Sequence, residues 1–269
     1  MAPEQPELEE SCNFKRLRGK VAPIMTDTSH NVPFVIGHRG AAGLAPENTL
    51  ISLRRAGLEG ARWVEFDVML SADGVAILFH DDNLDRTTSG KGPVNDRDFE
   101  SIRKLEAGAW FGASYAGTRV PMFAEAIQTL AEEGLGANVE IKPYPGVARR
   151  TATVACNLIA DAWPVSAPPP VISSFNAEAM AVARDKLAHI ERAMLFGKLP
   201  KNWKHIVAEL DCRAVHASNR HVDKRVVEEV RAEGLPLRIY TVNDPERAEI
   251  LREWGVSSVF TDRPDLIKA

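Results

Sequence analysis

Residues 34–50 read FVIGHRGAAGLAPENTL and residues 63–80 read WVEFDVMLSADGVAILFH, and this pair of segments decides the fold. In the first, Val35 and Ile36 lead straight into His38 and Arg39, so an imidazole and a fixed cation emerge where a buried strand would end. In the second, Glu65 and Asp67 stand two apart; strand side chains repeat every two residues, so both carboxylates face one side. That is half a site for a hard cation. Ala72, Asp73 and Gly74 form a tight-turn signal, too short for a parallel crossover, so the run 75–80 returns antiparallel and brings His80 back beside the carboxylates. The solvent face of an edge strand would also place Glu65 and Asp67 together, but it leaves His38, Arg39 and a third carboxylate unexplained.

That third carboxylate is Glu140, in Val139-Glu140-Ile141-Lys142, where alternate positions again share a face and Glu140 and Lys142 point together toward a strand end. A strand-end salt bridge is the plainer reading of this pair. Three carboxylates from two strands, with positions left for further oxygen ligands, suit Mg²⁺ or Ca²⁺ better than Zn²⁺.

Working outward, β-like runs at 34–37, 63–67, 137–141, 171–175, 193–196, 214–217, 237–242 and 258–261 alternate with helical stretches at 48–59, 123–133, 147–162, 177–187, 203–210, 223–233 and 244–254. Eight strands separated by helices, leaving aside the return strand, are what a closed (β/α)₈ TIM barrel of the α/β class requires. Asn176 and Asp244-Pro245 mark helix starts, and Gly134, Gly234 and Gly255 mark helix stops. The interval 82–122 fits neither a repeat element nor a short loop. It contains a short helical piece at 96–105 and the aromatics Trp110, Phe111 and Tyr115, and an insertion after the second barrel strand at the catalytic end reads as a lid or substrate-binding subdomain.

The set His38-Arg39-Gly40, Pro46-Glu47-Asn48-Thr49, Glu65-Phe66-Asp67, His80-Asp81, Arg86-Thr87-Thr88 and Glu140-Ile141-Lys142 resembles the glycerophosphodiester phosphodiesterase family, in order as well as spacing, over residues 34–267. The likeness is greatest to its short cytosolic bacterial branch, associated with glycerol 3-phosphate uptake. The resemblance implies a metal-dependent barrel, with an insertion at this position, that hydrolyses glycerophosphodiesters to sn-glycerol 3-phosphate and an alcohol. Phosphodiester cleavage needs neutralisation of the phosphoryl group, an activated nucleophile and a protonated leaving group. Metal on Glu65, Asp67 and Glu140 would serve the first need together with Arg39 and Lys142, which add positive charge at the phosphate. His38 and His80 divide the proton work, since imidazole titrates near neutral pH. The residues alone do not assign the two roles; the resemblance implies His38 as base and His80 as acid. Direct attack by water and prior attack by the glycerol 2-hydroxyl both remain open.

Further positions fall near the same strand ends. Glu47 and Asn48 either orient the site or, for Asn48, cap the first helix. Ser174, Phe175, His216, Tyr240 and Asn243 either line the mouth or pack. Tyr240 occupies a position where many relatives carry tryptophan. Trp110, with Phe111 and Tyr115, either receives the headgroup alcohol or holds the insertion in place. A lipid-directed phosphodiesterase would need an apolar rim, for which only these aromatics offer residues. A binding module for phosphorylated polyols would need no pair of proton carriers.

With 269 residues, 45% of them hydrophobic, the chain can build a full core, and a formal net charge of -4 argues against a general nucleic-acid surface. Cys12, Cys156 and Cys212 are odd in number and widely spaced, as reduced cytoplasmic thiols are. No run approaches the roughly 20 apolar residues of a membrane span, and no secretory apolar segment opens the chain. Stable membrane association is therefore not expected. Residues 1–30 run acidic, then basic, with little periodicity, as in a flexible solvated arm ahead of a catalytic domain at 31–269. Met25 offers an alternative start.

Overall fold

A computed structural model describes residues 32–268. The arm expected over residues 1–30, with Cys12, Met25 and His30, lies outside the described residues. The alternation at residues 63–67 becomes strand β2 (Trp63–Leu70), which runs on to Leu70 because the return strand β3 (Ala76–Leu78) pairs with its far end, Met69 opposite Ile77. On its other side β2 lies parallel to β4 (Gly136–Ile141), with Glu65 opposite Asn138 and Asp67 opposite Glu140. This register sets the third carboxylate beside the first two.

The remaining strands are β1 (Val35–Gly37), β5 (Val171–Ser174), β6 (Glu191–Phe196), β7 (Ala214–Ser218), β8 (Leu237–Tyr240) and β9 (Ser258–Thr261). Parallel pairing runs from β2 through β4 to β9 in chain order, and β1 pairs with both β9 and β2, which closes the eight parallel strands into a TIM barrel. Helices α1 (Leu50–Leu58), α3 (Phe123–Glu133), α4 (Ala148–Ala162), α5 (Ala177–Lys186), α6 (Trp203–Glu209), α7 (Lys224–Ala232) and α8 (Pro245–Trp254) alternate with the strands, and α2 (Phe99–Arg103) sits in the insertion. Outward-facing strand residues such as Val64, Phe66, Val68, Val139 and Ile141 are fully buried in the main core with helix residues such as Leu53, Phe123 and Leu130. Fully burying one such side chain is worth about 1.5–3 kcal/mol, so the periodicity that sends Val64 and Phe66 outward drives Glu65 and Asp67 inward.

Local chemistry sets the boundaries. Asn176, Asp223 and Asp244 each accept a first-turn N–H through the side chain, Pro245 follows Asp244, and Gly134 and Gly255 end α3 and α8 at φ 65° and 90°. The cap of α1 is Thr49, whose hydroxyl accepts from the Ser52 N–H, and not Asn48. Residues 82–122 pack a second core of Leu84, Val94, Phe99, Ile102, Ala107 and Val120 against Met69, Ile77, Phe79 and Tyr144. Tyr115 Oη donates to the Leu44 carbonyl at 2.7 Å and ties this layer to the loop after β1. Among the described residues no helix is long and apolar enough to cross a membrane, and Cys156 and Cys212 are free and buried.

Candidate active site

Glu65, Asp67 and Glu140 each offer an oxygen, all within 4.8 Å of one another. Three negative charges cannot share so small a volume away from water without compensation. Burial, then the charges of Asp67 and Glu140, raise the Glu65 pKa well above the usual carboxylate range; burial and Asp67 push Glu140 up to about 8. Asp67 goes the other way. Burial opposes its ionisation, but the charges of Arg39, Lys142 and His80 and a hydrogen bond from Asn48 hold it below the ordinary value. A buried all-oxygen donor set whose members repel one another is what a hard divalent cation relieves, so the residues present fit a metal.

The loop after β1 builds the rest of the site from two non-glycine residues in the left-handed region, Arg39 at φ 48° and Asn48 at φ 54°. Such backbone is uncommon outside glycine and gathers where function fixes it. At Arg39 it turns the backbone N–H onto Glu65 Oε2, 2.9 Å away. Gly40 follows at φ 84°, where a Cβ would lie 2.5 Å from Ser52 atoms, which explains the glycine of the His38-Arg39-Gly40 run. Asn48 is buried, and its Nδ2 donates to Asp67 Oδ2 at 2.9 Å while its Oδ1 accepts from the Asp67 N–H at 3.1 Å. Of the two readings of Asn48, orientation of the site is the one the geometry carries.

Cations surround Asp67. Arg39 Nε lies 3.5 Å from Asp67 Oδ2 and Lys142 Nζ 3.7 Å from Oδ1. Glu47 steadies Arg39 through a 2.7 Å bond from Nη1, and also accepts from Arg86 of the insertion at 2.7 and 2.8 Å. Arg86 reaches on to Asp81 at 2.6 and 2.9 Å, and Asp81 Oδ1 lies 2.7 Å from His80 Nδ1. One ionic chain thus joins Arg39, Glu47, Arg86, Asp81 and His80. Burial lowers the His80 pKa, with the Asp67 charge opposing.

His38 has a counterpart that sequence reasoning missed. Its Nδ1 lies 2.6 Å from Asp262 Oδ1, just past β9, while its Nε2 lies 4.0 Å from Glu65 Oε2. The available signal was parity: Ser258, Phe260 and Asp262 share one side of the last strand, and the last strand of a closed barrel neighbours the first.

The structure distributes the other candidates unevenly. Phe175 is half exposed and meets Tyr240 edge-on at 5.9 Å, and Tyr240 Oη donates to the Phe196 carbonyl. Burial first, then the charge of Glu140, raises the Tyr240 pKa. Ser174 does not line the mouth: it is fully buried, donates to the Ile141 carbonyl and accepts from the Asn176 N–H. His216 is also fully buried, its Nε2 3.3 Å from Arg238 Nη1 and its ring 5.0 Å from Phe260, within the barrel filling. Asn243 lies at the site through Asp262. Trp110 is 41% exposed, with its indole N–H on the Ala107 carbonyl.

Barrel and site together define a phosphoric diester hydrolase. The family model described as the glycerophosphoryl diester phosphodiesterase family matches residues 38–266, and the chain belongs to that family, whose members hydrolyse glycerophosphodiesters. A glycerophosphodiester phosphodiesterase of Caldanaerobacter subterraneus is 31% identical over 238 residues, spanning 87% of this chain and 95% of that protein. One from Bacillus subtilis is 31% identical, covering 86% and 84% of the two chains. Among solved structures, an Oleispira antarctica phosphodiesterase in complex with the product sn-glycerol-3-phosphate is 37% identical, with a TM-score of 0.85 over 87% of this chain and 94% of that one. A glycerophosphodiester phosphodiesterase from Agrobacterium tumefaciens is 29% identical, with a TM-score of 0.70 over 87% and 98%.

Proposed function

We propose that this chain hydrolyses glycerophosphodiesters to sn-glycerol 3-phosphate and an alcohol such as choline, ethanolamine or glycerol, in the cytoplasm and with Mg²⁺ or Ca²⁺. The observation that carries the reading is that two histidines adjoin the carboxylate triad, each with Nδ1 tied to an aspartate, at 2.6 Å for His38 and 2.7 Å for His80. A carboxylate only accepts, so each Nδ1 bears a proton and each Nε2 is left for the substrate. The product named in the Oleispira antarctica complex supports the same chemistry.

Glu65, Asp67 and Glu140 would hold the cation, which when bound supplies Lewis-acid polarisation of a phosphoryl oxygen. Arg39 and Lys142 add fixed charge beside Asp67, where the transferring phosphoryl group gains negative charge. His38 Nε2 takes the proton of the attacking hydroxyl, and His80 gives one to the departing alkoxide. Burial favours neutral His80, and an anionic phosphate beside the ring would favour the protonated form from which Nε2 donates. Two proton carriers also set this reading apart from a binding module for phosphorylated polyols.

The test is release of glycerol 3-phosphate from a panel of glycerophosphodiesters, with and without chelator. Cation-dependent release supports the assignment. Failure on every member of the panel, with cleavage of another phosphodiester class, overturns the substrate.

A further inference from the structure

The first and last barrel strands meet at His38, and three groups converge there. The His38 N–H donates to the Thr261 carbonyl at 2.8 Å, which fixes the backbone beneath the ring. Asp262 Oδ1 lies 2.6 Å from the ring Nδ1. Asn243 Nδ2 donates to Asp262 Oδ2 at 2.7 Å, and Asn243 Oδ1 accepts from the Asp262 N–H at 2.8 Å and from the Thr261 hydroxyl at 3.1 Å. Both carboxylate oxygens and the backbone of Asp262 are therefore tied down.

A strand-end ion pair that merely staples β1 to β9 is the simpler account. The ladder between Val35–Gly37 and β9 already joins these strands, however, and a partly exposed ion pair adds little to stability. Nor does a staple need Asn243, whose carboxamide holds Asp262 at both its carboxylate and its backbone N–H and also receives the Thr261 hydroxyl. What the arrangement does control is which ring nitrogen holds the proton. An anionic oxygen at Nδ1 favours the Nδ1–H tautomer and turns the Nε2 lone pair toward the carboxylate end of the site, 4.0 Å from Glu65 Oε2.

We propose that Asp262, held by Asn243, is a positioning residue that fixes the tautomer and ring orientation of His38 for proton abstraction. This rests on the reading of His38 as the base given above. The two histidines are oriented by unlike partners: Asp81 at His80 is itself engaged by Arg86 through Nε and Nη2, whereas Asp262 is engaged by a neutral carboxamide. An ionised carboxylate at Nδ1 stabilises the imidazolium that forms when His38 takes up a proton.

The experiment compares Asp262→Ala, Asp262→Asn and Asn243→Ala with the parent by steady-state kinetics, thermal melting and ¹⁵N NMR of the imidazoles, the His38 signals being assigned with His38→Ala. Asp262→Ala is expected to lose at least about 10²-fold in kcat with KM within a few-fold, in line with loss of acid–base catalysis. Its His38 shifts from Nδ1–H toward the Nε2–H tautomer, and added formate restores part of kcat. Asn243→Ala is expected to lose about 10-fold, as removal of a hydrogen-bonding partner behind a working group does. Should Asp262→Ala melt too early to use, Asp262→Asn keeps the shape, and its tautomer and kcat decide the matter. An unchanged tautomer, or a kcat loss that follows melting temperature and resists formate, overturns the proposal. The tautomer readout needs no turnover, so a parent inactive on glycerophosphodiesters would refute the substrate while leaving this inference decided on its own.

Discussion

Asn48 grips Asp67 from two directions: its amide nitrogen donates to Asp67 Oδ2 at 2.9 Å and its amide oxygen receives the Asp67 N–H at 3.1 Å. Only a carboxamide both donates and accepts in this way, and the backbone at φ 54° suits asparagine among non-glycine residues. Asn48→Gly removes the clamp without straining the backbone, so cation affinity should fall about 10- to 100-fold with little change in melting temperature. Asn48→Asp should do worse, because a second carboxylate would stand against Asp67. Calorimetric titration with Mg²⁺ and Ca²⁺ checks both; parent-like affinity in Asn48→Asp would remove Asn48 from the support of the site.

The carboxylate triad makes metal affinity and stability depend on pH with a definite sign. Without a cation, burial and the Asp67 charge push Glu140 up to about 8, well above the value of about 4.3 for an unfolded glutamate. A pKa raised by folding means stability that is fully present below the unfolded pKa and lost as pH rises through the folded one. The metal-free protein should therefore lose melting temperature between about pH 5 and pH 8, while cation binding, which requires ionised carboxylates, should strengthen over the same window and release protons. Glu65→Gln or Asp67→Asn should lower both cation affinity and turnover. Melting curves at several pH values, with and without Mg²⁺ after dialysis against chelator, test this; full activity in excess chelator would refute metal dependence.

Base and acid can be separated by leaving group. A general acid matters when the departing alkoxide is strongly basic and little when it is a phenolate. His80→Ala is expected to lose about 10²- to 10⁴-fold on glycerophosphocholine but much less on a p-nitrophenyl phosphodiester of glycerol, whereas His38→Ala should lose comparably on both. The reverse pattern would exchange the two roles.

Much of the barrel was legible because one periodicity governs it. The expected run 258–261 is β9, the expected helix 123–133 is α3, and most other boundaries shift by a residue or two. One such shift is instructive. Strand β6 begins at Glu191, two residues before the expected run, and its first two residues are charged. Here Glu191 pairs with Arg238 at 2.7 Å, and fully buried Arg192 donates to carbonyls of Leu187, Ala188, Ile190 and Asp211. The carboxylates of the triad could be found from spacing, since two lie within a single strand. Asp262 needed parity in the last strand combined with closure of the barrel, because its partnership with His38 spans 224 residues. Asn48 was ambiguous because Thr49 beside it is an equally good helix cap, and only the register of β2 tells which of the two turns inward.

The aromatics of the insertion differ in anchoring and exposure, and what that difference means can be tested by substrate preference. Tyr115 binds the Leu44 carbonyl and meets Phe111 edge-on at 5.3 Å, and Phe111 meets Trp110 edge-on at 5.6 Å. Tyr115 is therefore the anchor and Trp110 the outermost member of the row, with 41% of its surface open. Truncating a buried tryptophan or phenylalanine costs about 3–5 kcal/mol, and a side chain this exposed should cost well under that. An exposed indole face also attracts a quaternary ammonium group more strongly than a neutral polyol. Trp110→Ala should thus lower kcat/KM on glycerophosphocholine relative to glycerophosphoglycerol by about 2- to 5-fold, equivalent to the roughly 0.5–1 kcal/mol of an exposed cation–π contact, with a small change in melting temperature. Tyr115→Phe, which removes only the bond to Leu44, should lower both substrates together by loosening the layer over the mouth. Equal losses on the two substrates in Trp110→Ala, with a clearly lowered melting temperature, would assign Trp110 to packing and move headgroup selection to the Phe175 and Tyr240 side of the mouth.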